Sequence, residues 1–236
     1  MSIVFPFDRP ANYTEMLNKI GIFTFLTAFG LTWVVSQSLP AVAGFLNSQH
    51  LTVEIYSLHV PVLYAAPAVL IALVARIIRL HDRVSDLFRI RARFETYRVL
   101  IPLCGSVGIP VDIPLRNKLG SQRKSVMDRT FYAYASWDDP RVSKHLTLAA
   151  ADLWTWYWIL LEFIVLLAIA AAVLIVGRAY AVASLALIAL FLATLLFSTS
   201  YGVCGKRVDQ QIEEIVADAQ RADALRMEFS EIRSSP

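Results

Sequence analysis

The chain has few cysteines, few charges and no motif typical of an enzyme. Its 236 residues include only two cysteines, Cys104 and Cys204, which lie far apart without a His or Cys neighbour at metal-ligand spacing. This excludes a zinc-ribbon or zinc-finger pattern. No phosphate-loop, Rossmann or metallopeptidase pattern occurs, and His145 near Asp138 and Asp139 is an isolated conjunction. We therefore expect no catalytic residue, no metal and no cofactor.

Long apolar stretches take the place of such motifs, since 57% of the residues are hydrophobic and only 17% are charged. Each stretch reaches the ~20 residues that cross a hydrocarbon core of ~30 Å, and each is apolar nearly all round. They run roughly from Ile20 to Leu46, Ile55 to Leu80, Leu153 to Val176 and Ala179 to Val203. The pattern predicts an all-α integral membrane protein with four transmembrane helices in two pairs, a small helical cytosolic insert and a C-terminal cytosolic helix.

The distribution of lysine and arginine predicts the topology. Basic residues crowd the segment between the second and third stretches and flank both chain ends, whereas the outer turns hold almost none. We therefore expect a multi-pass protein of the bacterial inner (plasma) membrane with both termini in the cytoplasm, where thiols stay reduced. The predicted parts are an interfacial N-terminal arm (1–19), a first transmembrane hairpin (20–80), a basic cytosolic insert (81–145), a second hairpin (146–203) and a helical tail (204–236).

Prolines predict where the membrane helices change direction. Pro40 is expected to bend or end the first span, and Pro61 and Pro67 to kink the second. An aspartate followed by proline, as at Asp139-Pro140, is typical of a helix start, which predicts that the third span begins there.

The insert is predicted to begin as an amphipathic stalk. Apolar residues recur every three to four positions from Leu80 to Ile101, so the second span is expected to continue into the cytosol until Pro102 ends it. The turn-rich stretch from Pro102 to Gly120 is predicted to be an ordered loop or a small strand pair, followed by a short helix from about Ser121 to Ala135.

Polar residues inside the spans are the first candidates for function, because ionisable groups in a bilayer are costly. Glu162 and Arg76 fall at similar depths and are predicted to pair, although Glu162 could instead face a cation pathway. In the fourth span, Thr194, Ser198 and Tyr201 occupy one helical face. That face is predicted either to pack against a neighbouring helix or to form a wall of a conduction path.

Two cytosolic features are candidates for binding. A basic cluster could bind a phosphate-bearing ligand, nucleic acid or anionic lipid, or could simply reflect the positive-inside bias; its members are Arg116, Lys118, Arg123, Lys124 and Arg129. In the tail, Val208, Ile212 and Ile215 begin a heptad stripe, which predicts a partner helix. The partner is either another copy of the chain or the basic stalk, toward which the acidic tail would be attracted.

The order of two spans, a basic insert, a tight hairpin and a charged tail resembles small four-span membrane proteins of bacterial antiphage defence systems. The segments Arg76 to Arg98 and Val208 to Ile232 carry this resemblance by their character. It implies a membrane effector that a cytosolic partner protein or nucleotide signal controls.

Together these features predict a homo-oligomeric effector that forms a pore or permeabilises the bilayer, because four spans alone enclose little room for a solvated path. The main alternative is a non-conducting membrane anchor or sensor that recruits a soluble effector. A small secondary transporter is the third.

Overall fold

The described part of the computed structural model, residues 8–47, 52–55, 58–137 and 139–234, consists of helices and one short β-hairpin. In chain order the elements are α1 (Tyr13–Ser38), α2 (Pro40–Asn47), β1 (Thr52–Ile55), β2 (Leu58–Pro61), α3 (Val62–Ile78), α4 (Leu80–Leu87), α5 (Ile90–Phe94), a π-helical segment (Glu95–Leu100), α6 (Ile101–Ser106), α7 (Ile113–Ser121), α8 (Arg123–Arg129), α9 (Lys144–Val176), α10 (Tyr180–Val216) and α11 (Ala219–Ser234).

Three of these helices, α1, α9 and α10, are long and apolar enough to cross a membrane. They indicate a helical, membrane-embedded protein, as the composition predicts. Helix α3 is also apolar but has only 17 residues. The predicted start of the second span at Ile55 is wrong, because this part of the chain pairs as an antiparallel hairpin in which Val53 lies opposite Val60.

The first helix begins earlier than predicted. The Asn12 side chain accepts a hydrogen bond from the Glu15 amide at 2.9 Å, and the Glu15 carboxylate accepts one from the Ala11 amide at 2.7 Å. These hydrogen bonds, which resemble a capping box, start α1 at Tyr13, inside the segment predicted as an interfacial arm (1–19). Residues 1–7 lie outside the described residues. The expected break at Pro40 is confirmed, since α1 ends at Ser38 and Pro40 opens α2.

The chain divides into two compact units. The first, here called the membrane unit, comprises Asp8, Leu17–His81 and Thr155–Thr199 within the described residues. The second, here called the insert-tail unit, comprises Arg9–Met16, Asp82–Trp154 and the chain from Ser200 onward.

Small residues allow close helix packing in the membrane unit. Ala28 of α1, Ala68 of α3 and Leu166 of α9 form a buried apolar cluster, against which Phe25 and Ile71 pack. A tight turn joins α9 to α10: Gly177 lies so close to the Leu39 side chain that an added Cβ would clash, and Arg178 adopts a left-handed conformation with φ 62°. The predicted tight hairpin is confirmed.

The predicted continuous stalk is wrong. Arg79 and Arg89 both have left-handed backbones, with φ of 49° and 53°. A left-handed residue interrupts the helical hydrogen-bond ladder and redirects the chain. The segment after the second apolar stretch is therefore divided into α4, α5 and the π-helical segment. The chain turns at Arg79, before α4, and at Arg89, between α4 and α5.

Pro102 does not end this region, because the preceding turns are π-helical. The Ile101 amide donates to the Thr96 carbonyl, five residues earlier, and α6 then runs through Pro102 to Ser106. Wider turns of this kind accommodate a residue that lacks an N–H. The helix resumes at α7, where the Asp112 carboxylate accepts a hydrogen bond from the Leu115 amide at 2.9 Å. The expected loop or strand pair is thus mostly helical, since Pro114 stands in a first helical turn.

Two further helix starts differ from the predictions. The helix expected from Ser121 to Ala135 is confined to α8, Arg123–Arg129, and turns follow it. The third span begins at Lys144 and not at Pro140, because the Tyr134 carbonyl accepts the amides of Arg141 and Val142 at 2.8 and 3.3 Å and holds this stretch in a turn.

The tail is held against the insert within the insert-tail unit. Arg233 lies 3.2 Å from the Asp112 carboxylate, Arg226 donates to the Val107 carbonyl at 3.1 Å, and Arg129 pairs with Glu228 at 3.0 Å. The tail therefore docks within its own chain, but on α6 and α7 and not on the predicted stalk. Two of these three contacts are made by tail arginines, so attraction of an acidic tail to a basic stalk does not describe them.

The heptad stripe of the tail finds its cover within the chain. Val208, Ile212 and Ile215 are all buried in the single chain. Their predicted role in joining copies of the chain is therefore wrong for this conformation.

We expect the Asp112→Ala variant to unfold more easily, because it loses both the α7 cap and the contact with Arg233. The hydrogen bond from Leu115, with Arg233 nearby, holds the pKa of Asp112 below its ordinary value. A carboxylate with a lowered pKa stabilises the fold at neutral pH and loses that effect as the pH falls through the lowered value. Thermal unfolding across an acid titration would measure both effects. Asp128→Ala, at an exposed carboxylate on α8, is the control, and equal losses in the two variants would contradict the assignment.

Candidate functional site

A buried carboxylate is the polar centre of the membrane unit. Glu162 of α9 is 3% exposed, and the His81 ring nitrogen Nδ1 lies 2.9 Å from its Oε1. The His81 backbone amide donates to the same oxygen at 3.3 Å, and the Thr24 hydroxyl donates to Oε2. One carboxylate thus joins α1, the start of α4 and α9.

Local backbone structure brings these groups together. The left-handed Arg79 ends α3, so that His81 falls in the first turn of α4 and offers both its ring and its backbone N–H to Glu162. Trp158, one turn before Glu162, lies beside the His81 ring with 5.8 Å between ring centroids. The Ile20 carbonyl is a second acceptor for Thr24, at 2.9 Å, and fixes its hydroxyl against α1.

The predicted pair between Arg76 and Glu162 is wrong. Arg76 donates to the Asn18 side chain at 3.0 Å and lies beside Gly21. The chain turns at Arg79, after which the His81 ring is the group that reaches the carboxylate. Sequence reasoning missed His81, although it directly follows an apolar stretch and is one of only four histidines.

Lys19 is a second ionisable residue that sequence reasoning missed. It is buried on α1, donates to the Asp8 carbonyl at 3.1 Å and lies 4.5 Å from the centre of the Trp156 ring. Contact with an aromatic face stabilises a cation that has been taken out of water. The signal in the sequence was a lysine at the boundary of a predicted span.

The buried pair of Glu162 and His81 can tie helices together. A carboxylate and an imidazolium together carry no net charge, which lowers the cost of burying them. The hydrogen bonds from Thr24 and the His81 amide fill further acceptor positions of Glu162. Removing either partner would leave the other buried and without compensation. The pair therefore contributes to the stability of the fold.

Only part of the predicted polar face of the fourth span lies together in the structure. Thr194 and Ser198 are exposed on α10, and the Thr194 hydroxyl donates to the Leu190 carbonyl of its own helix at 2.8 Å. Tyr201 belongs to the insert-tail unit, where its ring contacts Phe94 at 5.1 Å. Of the predicted face, Thr194 and Ser198 therefore remain together as exposed hydroxyl residues of α10.

The predicted basic cluster separates into structural and exposed residues. Arg123 pairs with Glu95 at 2.9 Å, Arg129 pairs with Glu228, and Lys118 donates to the Arg233 carbonyl at 3.3 Å. Arg116 and Lys124 are exposed. The five residues therefore do not form one binding surface.

Sequence reasoning missed Glu95, the partner that draws Arg123 inward. This carboxylate is 5% exposed and accepts hydrogen bonds from Arg91 at 2.7 Å and from the Tyr132 hydroxyl at 3.1 Å. Burial raises the pKa of Tyr132 and the neighbouring Glu95 raises it further, so the phenol stays neutral and donates. The i,i+4 spacing of Arg91 and Glu95 was the available signal.

A cleft of about 630 Å³ adjoins this network within the insert-tail unit. Three cations, three polar side chains and two small residues line it: Arg89, Arg123, Lys124, Ser121, Gln122, Ser125, Ala92 and Gly120. Of the predicted basic cluster only Arg123 and Lys124 take part. Arg89 joins them from the left-handed corner between α4 and α5.

The two remaining chemical features are a buried thiol and the distribution of metal-ligand side chains. Burial raises the pKa of Cys104 to about 11, so its thiol stays protonated at neutral pH. No group of three or more His, Cys, Asp or Glu residues within the described ranges could hold a metal ion.

The long apolar helices, the buried ion pair and the charged insert-tail unit define a helical membrane-embedded protein. The model of the YmfE protein family matches residues 12–230, so this chain belongs to the YmfE protein family. The comparison with curated proteins and the comparison with solved structures returned no match.

We expect Glu162→Ala to lower the free energy of unfolding by about 3–5 kcal/mol, the cost of breaking a buried charged pair. Glu162→Gln should cost less, because its amide oxygen can still accept from His81 and its NH2 group can donate to the Thr24 hydroxyl, which can then donate to the Ile20 carbonyl. Denaturant unfolding in detergent, with a double-mutant cycle of Glu162→Ala and His81→Ala, would measure the coupling. The matched cycle with Arg76→Ala should be additive; coupling of Glu162 to Arg76 in place of His81 would contradict the pair.

Proposed function

We propose that the protein crosses the bacterial inner membrane four times, with both termini in the cytoplasm. The composition of the insert-tail unit supports this, because it combines Arg9–Met16, Asp82–Trp154 and the tail from Ser200. If this unit lies outside the bilayer, its three segments share one side of the membrane, and the chain between them crosses an even number of times. Helix α1 is long enough to cross, which leaves α3 as the returning span. Its 17 residues extend about 26 Å and stand at the lower end of the range for spans.

Labelling of single cysteines would test this topology. In a variant with Cys104 and Cys204 replaced, a membrane-impermeant maleimide should label Arg178→Cys in spheroplasts, because the turn between α9 and α10 would face outward. Ser125→Cys and Ser230→Cys should react only after permeabilisation. Labelling of Ser125→Cys in sealed spheroplasts would show that α3 does not cross.

We propose further that the protein is a homo-oligomeric membrane effector that forms a pore or permeabilises the bilayer under control of a cytosolic ligand or partner protein. The observation that carries the proposal is α10, a single helix from Tyr180 to Val216. Its apolar half exposes Thr194 and Ser198, and its other end belongs to the unit that holds the basic cleft. Hydroxyl groups on an exposed helical face suit contact between copies around a common axis, where water could enter. A role in antiphage defence is part of the proposal and rests on the layout alone.

Flux through proteoliposomes would test the effector role. We expect ion or dye release from vesicles that contain the activated protein, and we expect Thr194→Val with Ser198→Ala to change the rate while the protein remains folded. Ser184→Ala is the matched control, because Ser184 is also exposed on α10 and its hydroxyl donates to its own helix at 2.9 Å.

A monomer in detergent and in nanodiscs would contradict the pore. So would equal effects of the Ser184 variant and the Thr194 and Ser198 variants, since position on the helical face would then be irrelevant.

The second candidate is a non-conducting anchor or sensor that recruits a soluble cytosolic protein. The exposed cations Arg116 and Lys124 of the insert-tail unit favour it, because neither forms the internal ion pairs that Arg123 and Arg129 form. Membrane potential separates the two candidates: an anchor captures a protein partner while the potential stays unchanged.

A further inference from the structure

We propose that the cleft between Arg89 and the segment Gly120–Ser125 binds a small soluble molecule through its phosphate groups. A role for this ligand as the signal that controls the effector rests on the proposed function above. The assignment of the cleft as a binding site rests on the geometry of the cleft alone.

The charge of the cleft favours an anion. Arg89, Arg123 and Lys124 line it, and no carboxylate does. Glu95 contacts the lining residue Arg123, and it pairs with both Arg91 and Arg123. Two cations share that one anion, so Glu95 does not cancel the positive charge of the cleft.

Arg123 retains unused hydrogen-bonding capacity. Its Nη1 is buried and lies 2.9 Å from the Glu95 carboxylate, so the ion pair occupies this nitrogen and leaves the other N–H groups of the guanidinium. A guanidinium carries five N–H donors in a planar fork that matches the oxygens of phosphate. The ion pair with Glu95 therefore orients Arg123 at the cleft without saturating it.

Neutral donors surround the cations. Ser121, Gln122 and Ser125 add two hydroxyl groups and an amide to the lining. Arg89 is placed at the rim by a left-handed backbone, a conformation that a non-glycine residue adopts at a cost. Hydrogen bonds to a charged oxygen are stronger than those between neutral groups, so this set suits phosphate better than a neutral sugar or amide.

Size and composition indicate the class of ligand. The volume of about 630 Å³ is that of a typical small-molecule site. No aromatic side chain lines the cleft, so the stacking platform that single-stranded nucleic acids require is missing there. A compact soluble phosphate ester or polyphosphate fits these properties best, and a phospholipid headgroup would share the same chemistry.

Calorimetry with the full chain in neutral detergent would test the site, with inorganic pyrophosphate and a nucleoside triphosphate as soluble probes. We expect saturable binding of at least one probe that Arg89→Gln and Lys124→Gln each weaken about tenfold, the usual cost of losing a hydrogen bond to a charged group. Arg116→Gln is the matched control, because Arg116 is an exposed arginine of α7 that does not line the cleft. It should bind as the unaltered protein does.

Three results would overturn the site. They are no saturable binding of either probe, the same loss of affinity in the Arg116 variant, or binding by the protein only to anionic phospholipid supplied in nanodiscs. The last result would assign the cleft to a headgroup. Flux measured in parallel keeps this test separate from the effector role. Binding without any change in permeability would support the binding site in the cleft and refute its control of a pore.

Discussion

The carboxylate of Glu162 sets the strictest condition on this fold. A charge inside an apolar environment costs several kcal/mol unless opposite charge and hydrogen-bond donors reach it. Here the donors come from α1 and from the first turn of α4, which follows the corner at Arg79. The helices of the membrane unit have little freedom to rotate or slide while this carboxylate remains satisfied.

The insert-tail unit repeats the same solution around Glu95. Two arginines and a neutral tyrosine surround a buried carboxylate, in a stretch where the helix widens to π-helical turns. The difference lies in the balance of charge. The pair in the membrane unit is neutral when His81 is protonated, whereas the network around Glu95 keeps a surplus of positive charge beside an open cleft. One network is suited to holding helices together, and the other can attract an anion.

Much of the membrane part could be predicted from the sequence, because apolar length is a local property. The predicted ends of two apolar helices, at Pro40 and at the turn after Gly177, agree with the structure because they too depend on local sequence. The pairing of Glu162 was missed because it depends on a left-handed arginine, which side-chain spacing does not reveal. The basic cluster was misjudged because charge counts do not distinguish an arginine paired with a buried glutamate, such as Arg123, from an exposed one such as Arg116.

The three left-handed arginines have a practical consequence. Arg79, Arg89 and Arg178 are all exposed at corners between helices, and each offers trypsin the residue after which it cleaves. In a four-span topology the first two corners face the cytoplasm and the third faces outward. Trypsin added to one side of a sealed vesicle would therefore give a fragment pattern set by vesicle orientation. The corners that shape the fold would thus also report which way the protein was inserted.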